Sequence, residues 1–537
     1  METKSDVKTP TKKFFLAGLI GGTIATLILF VGTSLLGLPF PPLAIFQLLI
    51  APVPGSIQSV VVESLQEYAK YSAFVFSSAI YVIMYGLVAI FLGFVFKGEV
   101  QRNGTKTMLI GTIVPTVIAL GLQLELMSAF SALSSWFGWL IALLLALVAN
   151  IIYSETVMSR ISVPVAEPAK SIQQPVYSPR RGFIKKVVVA AVVLAIAGIG
   201  ARLGLSFLSG QPLVTSGNSV PINPSPESTG SNIPVIFNDP RISDLLGSEV
   251  TDNRVFYRVD IDPIPPQVDL NSWILKIHGE VNSALTLDNE SLSKLPTMDE
   301  YVTLECVSNT VNPPGSLISN AKWTGVSLAS LLGQAGVLAD GKYVVFRCAD
   351  GYTVGIPLER AMLPDALLAF KMNDQTLPNE HGFPLRALVP GIYGMMNAKW
   401  ITEIEVVNQV YLGYWQERGW SNDARIETTT ILYYPQPNAD VTGSTPIAGV
   451  AFAGDRGISK VEISVDGGRT WSQASLKKPK SPYSWVLWAY AWNPTTKGTA
   501  TIVARAYDGT GAPQDQTVVE PFPDGASGYQ SIQVTVH

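Results

Sequence analysis

The residue types that bind metals are scarce in this chain, and that scarcity narrows the chemistry it can perform. Among 537 residues there are two cysteines and three histidines. These are too few for a disulfide scaffold, an array of zinc ribbons, a multi-haem protein or an iron–sulfur protein. Any metal must therefore rest on one or two side chains together with a non-protein group. A cysteine thiolate is the softest ligand available for such a centre.

Cys306 is the better placed of the two cysteines. It ends a predicted strand, Tyr301–Cys306, and a polar loop that begins near Asn309 follows it. A thiolate in that position can face a bound group, although a free cysteine is more often a small buried apolar residue. Cys348 has no such context, and we expect it in the core. A disulfide between the two would remove the candidate ligand, so we predict two free thiols.

Several short motifs follow one another in the second half of the chain. They are Phe256–Arg258, Trp273–Gly279, Thr303–Asn309, Ala321–Val326, Asp350–Tyr352, His381–Arg386, Val389–Gly394, Lys399–Trp400 and Gly413–Trp415. In this order and number they resemble the sulfite oxidase family of molybdopterin-dependent oxidoreductases, over the segment Asn253–Trp420. Val461–Trp471 resembles the dimerisation domain of the same family.

The resemblance implies a molybdopterin cofactor with one molybdenum per chain. In the family the pterin dithiolene holds most of the metal and one protein thiolate completes it, which assigns the ligand to Cys306. Tyr352 matches the tyrosine of the family that lies near the reactive oxygen. The alternative for Tyr352 is an ordinary aromatic core residue. Neither haem nor an iron–sulfur cluster is expected in this chain.

Five further residues match family positions that hold the cofactor. They are Arg258, Asp350, His381, Arg386 and Lys399. A guanidinium can bind phosphate through two parallel hydrogen bonds, and an ammonium acts as a point charge. We expect Arg386 and Lys399 to bind the phosphate, and the carboxylate of Asp350 to bind pterin amino groups. Surface salt bridges, and a structural role for His381, are the alternatives.

Two departures from the family concern the substrate. The loop Cys306–Asn312 contains no basic residue, and Trp485–Trp488 reads Trp-Val-Leu-Trp where the family has an arginine. Each charge-assisted hydrogen bond contributes about 1.5–3 kcal/mol, so a doubly charged sulfite would lose much of its stabilisation. The expected function is a two-electron oxygen-atom transfer on a small substrate. A sulfoxide-type reductase of the same fold and a non-catalytic cofactor-binding module remain alternatives. Electrons must cross to an external carrier, such as a c-type cytochrome or a quinone-linked membrane protein.

The first 208 residues have the composition of a membrane domain. Hydrophobic residues make up 47% of the whole chain and charged residues 15%, and the long uncharged runs are concentrated here. Runs of about 20 apolar residues can cross the hydrocarbon core as helices. We predict five spans, at 15–37, 72–96, 108–129, 132–153 and 187–208. The proline-rich stretch 41–62 is predicted to be re-entrant or interfacial, with a sixth span as the alternative.

Loop charges predict the orientation. Lysine and arginine are concentrated before the first span and in the loops 97–107 and 154–186, and with five spans these three segments share one side. The positive-inside rule makes that side cytoplasmic, so the chain after residue 208 is expected outside, on a multi-pass protein of the cell membrane. Ser178–Lys185 resembles a twin-arginine export signal. The alternative is a basic cluster that serves only topology.

Composition divides the remaining chain. Residues 209–235 are rich in Ser, Pro, Asn and Gly and are predicted to be a flexible linker. An α+β molybdopterin domain is predicted over 236–427, and an immunoglobulin-like β-sandwich over 428–537. The resemblance implies that this last domain forms a homodimer. The net charge of −4 excludes binding to nucleic acid through phosphate neutralisation.

The predicted export signal at Arg180 and Arg181 can be tested by following where the catalytic domain is located. The cofactor is inserted in the cytoplasm in this family, whereas the charges place the catalytic domain outside. We expect the double variant Arg180→Lys, Arg181→Lys to insert its first four spans, because the positive charge is kept, and to retain the catalytic domain in the cytoplasm. Protection from protease added outside would report this. Normal export of the variant would reduce the motif to a basic flank.

Overall fold

The computed structural model describes part of the chain. The described residues are 10–36, 40–50, 53, 67–95, 113, 117, 136–161, 235–243, 245, 249–261, 265–311 and 314–537. They divide into two compact units. One comprises Met1–Ile50 and Tyr71–Asn218, and the other comprises Ala51–Lys70 and Ser219–His537.

The first unit is helical. Its described helices are α1 (Pro10–Leu36), α2 (Pro41–Ile50), α3 (Glu67–Val95), which belongs to this unit from Tyr71 onward, and α4 (Trp136–Ile161). Small residues on α1 allow close packing: a side chain at Gly18 or Gly22 would collide with Ala89 or Tyr85 of α3. Tyr85 also donates a hydrogen bond of 2.8 Å to Asn150 on α4.

Two stretches in this unit are long and apolar enough to cross a membrane. They are Lys12–Thr33, with mean hydropathy 2.3, and Phe74–Phe91, with mean hydropathy 2.2. The predicted spans 15–37, 72–96 and 132–153 fall on α1, α3 and α4. The predicted spans 108–129 and 187–208, the twin-arginine motif and most of the linker lie outside the described residues, apart from isolated helical positions at 113 and 117.

The stretch 41–62 begins with a short helix. Proline at the first helical positions is favourable because their N–H groups have no intrahelical partner, and α2 begins at Pro41. At 1.5 Å per residue its ten residues extend only about 15 Å, which is half of the hydrocarbon core. This helix alone does not span. Beyond it, Val53 is the one described residue of the stretch.

The second unit begins with two sheets. The strands are β1 (Ile274–Gly279), β2 (Leu285–Asp288), β3 (Thr297–Glu305), β4 (Ile318–Ser327), β5 (Tyr343–Cys348), β6 (Thr353–Pro357), β7 (Leu367–Met372), β8 (Gln375–Thr376), β9 (Arg386–Leu388) and β10 (Ile401–Val407). One sheet has the order β2-β1-β10-β5-β6, in which only β1 and β10 are parallel. The other has the order β3-β4-β7-β8, and β9 also pairs with β7.

Three short helices accompany these strands: α5 (Asn289–Ser293), α6 (Leu328–Ala335) and α7 (Leu358–Ala361). The sequence predicts a longer first helix, from Leu287 to Leu295. Leu287 and Asp288 belong to β2 instead, and the Asp288 carboxylate accepts a hydrogen bond of 2.8 Å from the Ser291 amide. A side chain that caps the first turn fixes where the helix begins.

The last part of this unit contains two facing sheets. Their strands are β11 (Thr429–Tyr434), β12 (Asp440–Val441), β13 (Thr445–Phe452), β14 (Ile458–Ser464), β15 (Ser472–Gln473), β16 (Ser475–Leu476), β17 (Val486–Trp492), β18 (Gly498–Asp508) and β19 (Gln530–Val536). One sheet is β11-β13-β17-β16 and the other is β12-β19-β18-β14-β15. A shared core that includes Ile447, Ile463, Trp488 and Ile502 joins them into a β-sandwich.

The sandwich also contacts the strand that leads to Cys306. The Thr303 amide on β3 donates to the Tyr483 carbonyl at 3.0 Å, and the Trp485 amide donates to Thr303 Oγ1 at 2.9 Å. Lys480 forms an ion pair of 2.8 Å with Glu249 beside this contact. The end of β3 is therefore held by β4 and by the loop before β17.

Large buried side chains stabilise the sheet β2-β1-β10-β5-β6. Phe346 on β5 is fully buried, whereas Ile274 on β1 is 42% exposed. Truncation of a buried Phe to Ala removes transfer free energy and leaves a cavity, at a cost of about 3–5 kcal/mol. We expect Phe346→Ala to lower the thermal unfolding midpoint by several degrees and Ile274→Ala to change it little. Calorimetry on the purified variants measures both, and equal shifts would contradict the assigned core.

Candidate active site

A cleft in the second unit collects most of the predicted site residues. It contains about 860 Å³ of space that protein atoms do not fill, part of which is open to solvent. Six of the seven candidates line it: Arg258, Cys306, Asp350, Tyr352, Arg386 and Lys399. The structure thus brings together residues that lie far apart in sequence. His381 is not among the lining residues.

Cys306 follows the last residue of β3. Its amide donates to the Leu317 carbonyl at 2.9 Å, and its Sγ lies 3.1 Å from Ser308 Oγ. The side chain is 7% exposed, and burial raises the pKa of the thiol. A buried thiolate is stable only beside a compensating positive charge. A metal ion supplies such a charge and deprotonates a coordinating thiol.

The loop after Cys306 is held by Asn309. Its amide nitrogen donates to Glu305 at 2.9 Å, and its amide oxygen accepts from the Leu317 amide at 3.0 Å. A side chain at Gly315 would collide with that oxygen, so glycine is required there. Burial raises the pKa of Glu305 to about 7. The sequence does not indicate a role for Glu305, because a carboxyl group beside a cysteine has no distinctive spacing.

Tyr352 faces the cleft from the turn after β5. Its hydroxyl donates a hydrogen bond of 2.6 Å to the Met395 carbonyl, and its amide donates to Asp350 Oδ1 at 3.0 Å. Burial, together with the nearby Cys348, raises the pKa of Tyr352 well above its usual value. The phenol is therefore neutral, and with its proton directed at Met395 it offers lone pairs to a ligand. Cys348 is a buried free thiol, as predicted.

Arg386 is the buried cation of the cleft. It begins β9 and is 6% exposed. One nitrogen donates to the His381 carbonyl at 3.2 Å, and the guanidinium lies 5.2 Å from the centre of the Trp323 ring. Its Nε has no hydrogen-bond partner among the described residues, and burial lowers its pKa to about 10. A buried guanidinium with an unused N–H fits an anionic group such as a phosphate.

Lys399 and Arg258 also line the cleft. The Lys399 ammonium forms an ion pair with Asp260, whose side chain is 1% exposed, and it lies 4.5 Å from the centre of the Trp400 ring. Asp260 also lines the cleft, and no motif in the sequence indicates it. Its pairing neutralises Lys399 locally, so a phosphate at this point would share the ammonium with a carboxylate.

His381 lies behind the cleft wall. Its Nε2 is 2.7 Å from the Asn253 carbonyl, and its ring packs edge-on against Phe256 at 5.4 Å. Burial lowers the pKa of this histidine to about 4, so the neutral ring donates its proton to the carbonyl near pH 7. In this position His381 supports the segment that carries Arg258. Direct contact with a pterin stays a prediction.

The cleft is also lined by apolar side chains. Val307, Met395, Trp415 and Trp420 are among them. The stretch Trp485–Trp488, where the family has an arginine, does not reach the cleft: Val486 and Leu487 are 2% and 3% exposed within the sandwich. The cations among the described lining residues are therefore Arg258, Arg386 and Lys399.

The second half of the chain is similar in sequence to known proteins. The model of the oxidoreductase molybdopterin binding domain matches residues 262–415, and that of the Mo-co oxidoreductase dimerisation domain matches residues 422–520. Sulfite oxidase from Gallus gallus is 31% identical over 321 residues, 51% of this chain and 70% of that protein. Mitochondrial sulfite oxidase from Mus musculus is also 31% identical, over 51% of this chain and 59% of its own length. The chain thus spans less than two thirds of the mitochondrial relatives.

Burial shifts the pKa values of His381 and Glu305, and these shifts predict that the stability of the protein depends on pH. In the unfolded chain a histidine has a pKa of about 6.5, against about 4 for folded His381. Between these values the unfolded state binds more protons, so stability is lost as the pH falls from about 6.5 to 4. We expect His381→Gln, which keeps a donor for Asn253, to remove about 3 kcal/mol of that loss.

Glu305→Gln serves as a control, because we expect it to change the pH dependence of stability in the opposite direction. A carboxyl whose folded pKa is raised stabilises the protein below its unfolded pKa of about 4.5 and loses that contribution as the pH rises through about 7. We therefore expect this variant to gain stability relative to wild type at high pH. Urea unfolding midpoints between pH 4 and pH 8 measure both effects. Parallel pH profiles for the two variants would contradict the assignments.

Proposed function

The chain belongs to the sulfite oxidase family of molybdopterin-dependent oxidoreductases, and on that basis we propose that it transfers an oxygen atom between water and a small substrate. The observation that carries the proposal is that one cleft is lined both by a buried thiol, Cys306, and by a buried guanidinium with an unused N–H, Arg386. A soft metal ligand and a phosphate-binding cation are the two protein groups that a molybdopterin requires. When bound, the cofactor supplies two-electron oxygen-atom transfer.

The side chains of the cleft have separable roles in this proposal. Cys306 binds the metal, and the Asn309 contacts keep its loop in place. Arg386, Lys399 and Arg258 bind the cofactor's anionic groups, and Asp350 accepts hydrogen bonds from its pterin. Tyr352 accepts a hydrogen bond from water or substrate because its own proton is held by Met395. His381 orients the segment before Arg258.

The proposed location is the cell membrane. Two helices with the length and composition of spans support anchoring, and the distribution of lysine and arginine supports a multi-pass chain with its catalytic domain outside the cytoplasm. The motif at Arg180 and Arg181 would then be an internal export signal. A homodimer through the C-terminal sandwich, with an immunoglobulin-like topology, completes the proposed architecture.

Reaction direction separates two candidate activities. Oxidation of a sulfite-like anion would release two electrons to an external carrier, such as a c-type cytochrome or a quinone-linked protein. Reduction of a sulfoxide would consume two electrons from such a carrier. The apolar lining residues Val307, Met395, Trp415 and Trp420 favour a substrate without charge. A non-catalytic module is disfavoured because the thiol, the guanidinium and Tyr352 share one cleft.

Replacement of the proposed metal ligand tests the function. We expect purified protein to contain about one molybdenum per chain, and Cys306→Ser to abolish turnover while it retains pterin, because a hydroxyl is a poor soft-metal ligand. The matched control is Cys348→Ser, which alters the other buried cysteine. Metal analysis, pterin fluorescence and assays in both redox directions with artificial electron carriers provide the readouts. Full activity of Cys306→Ser would refute the assignment.

A further inference from the structure

The loop between β16 and β17 contains the densest group of basic residues in the second unit. Three of the four residues 477–480 are lysines, and these lysines line one small surface cavity together with Glu249 and Trp485. Residues 209–537 as a whole contain 33 acidic and 22 basic side chains. Residues 477–485, which we call the lysine loop, therefore form a basic patch on an acidic part of the chain.

The lysines of this loop exceed the negative charge beside them. Glu249 forms ion pairs with Lys480 at 2.8 Å and with Lys477 at 3.5 Å, and Lys478 is exposed. The lining of the cavity thus has three ammonium groups and one carboxylate, an excess of two positive charges. Exposed charges contribute little to folding, but they attract a partner of opposite charge and increase its association rate.

Hydrogen bonds attach the lysine loop to the strand that leads to Cys306. The Trp485 amide donates to Thr303 Oγ1 at 2.9 Å, and the Thr303 amide donates to the Tyr483 carbonyl at 3.0 Å. Thr303 lies three residues before Cys306, which is about 10 Å along an extended strand. The loop therefore has a fixed position close to the proposed metal ligand.

Apolar side chains provide a second connection between the loop and the cleft. Val307, which lines the cleft, belongs to an apolar cluster against which Trp485 packs. The half-buried indole of Trp485 also donates from Nε1 to the Glu249 carbonyl at 3.2 Å. Trp485 thus connects the packed side chains beside Cys306 with the cavity that the lysines line.

These connections matter because the proposed reaction needs a path for electrons. Cys306 is the proposed protein ligand of the metal, so β3 begins the covalent path from the metal centre into the protein. Electron transfer is fastest along bonded and closely packed atoms, because each gap between atoms weakens the electronic coupling. The strand, its hydrogen bonds to the lysine loop and the indole of Trp485 form such a path to the surface.

We propose that the lysine loop is the docking surface for an acidic one-electron carrier, a haem protein with carboxylates around its exposed haem edge. This rests on the proposed function and adds the surface chemistry of its partner. Transfer of the oxygen of one water to the substrate releases two electrons and two protons. Two carrier molecules each accept one electron, which reduces haem iron from Fe(III) to Fe(II), and the protons pass to solvent. The reductive direction reverses these transfers.

The experiment uses two haem proteins of one fold and opposite charge. Horse heart cytochrome c is basic, and succinylation converts its lysines to carboxylates. Surface plasmon resonance measures the binding of each oxidised probe to the full-length holoenzyme in a neutral detergent. We expect the succinylated probe to bind about tenfold more tightly than the native one at low ionic strength, and to lose affinity as salt is added. The net acidity of residues 209–537 alone would give the opposite order.

Variants locate the contact, because basic segments among the first 208 residues also attract an anionic probe. The loop variant reverses the three lysine charges: Lys477→Glu, Lys478→Glu, Lys480→Glu. The matched control makes the same change at three exposed lysines elsewhere in the second unit: Lys276→Glu, Lys294→Glu, Lys497→Glu. We expect the loop variant to weaken binding of the succinylated probe about tenfold or more, and the control about twofold. Lys478→Glu alone, which keeps both ion pairs of Glu249, should weaken binding about threefold.

Electron transfer to the bound probe gives a second readout. The holoenzyme is reduced with dithionite, freed of excess reductant and mixed with the oxidised succinylated probe in a stopped-flow instrument. We expect wild type and control to reduce two haems per molybdenum. At probe concentrations below the dissociation constant, the loop variant should do so about tenfold more slowly at equal molybdenum content, because less probe is bound.

The outcomes separate the docking surface from the function on which it rests. Equal affinity of wild type, loop variant and Lys478→Glu for the succinylated probe, with haem reduction intact, would overturn the docking surface and leave the proposed function standing. Equal weakening by the loop variant and the control would also overturn it, since the effect would then come from net charge. Protein that contains no molybdenum and reduces neither probe would overturn the proposed function itself. Lys478→Glu provides the binding readout if the triple loop variant fails to fold.

Discussion

The proposed metal site depends on one constraint, which is that a thiol buried inside the protein must lose its proton to bind a metal. Cys306 is almost fully buried, so water does little to stabilise its thiolate. The thiolate is stable only if the metal cation of the bound group lies next to the sulfur. The protein must therefore hold the sulfur at the position where that cation binds. Strand β4 and the loop before β17 fix the end of β3, and Asn309 fixes the loop after it. Much of the second unit serves to hold one atom in place.

The same reasoning explains the arrangement of the cations. Arg386 is desolvated against Trp323, and Lys399 is paired with Asp260, which itself is almost inaccessible. Burial makes each of these groups costly by itself and correspondingly strong towards an anion that enters the cleft. Apolar side chains that line the same cleft, such as Trp415 and Trp420, make no comparable demand for charge. We assign the charged lining residues to the cofactor.

Sequence reasoning succeeded where a motif combined with a regular pattern. The strand that leads to Cys306 and the strands of the sandwich were recognisable from short β-type runs, and six candidates from separate motifs meet in one cleft. It failed where a role depends on a partner distant in sequence. Nothing near Asp260 indicates Lys399, and the position of His381 behind Phe256 follows from packing alone. The start of α5 was misplaced because a capping aspartate, which ends β2, outweighed apolar periodicity.

The contact between Phe522 and Trp420 has a consequence for how such a protein can diversify. The ring of Phe522 comes from the loop before β19 and packs against Trp420, whereas Arg386 begins β9 and Lys399 precedes β10. Insertions or substitutions in that loop can tilt the indole without disturbing the residues that retain the cofactor. Related proteins that keep the same cofactor-binding residues can therefore acquire different substrate specificities. The changes would lie in the loop before β19, in the C-terminal sandwich.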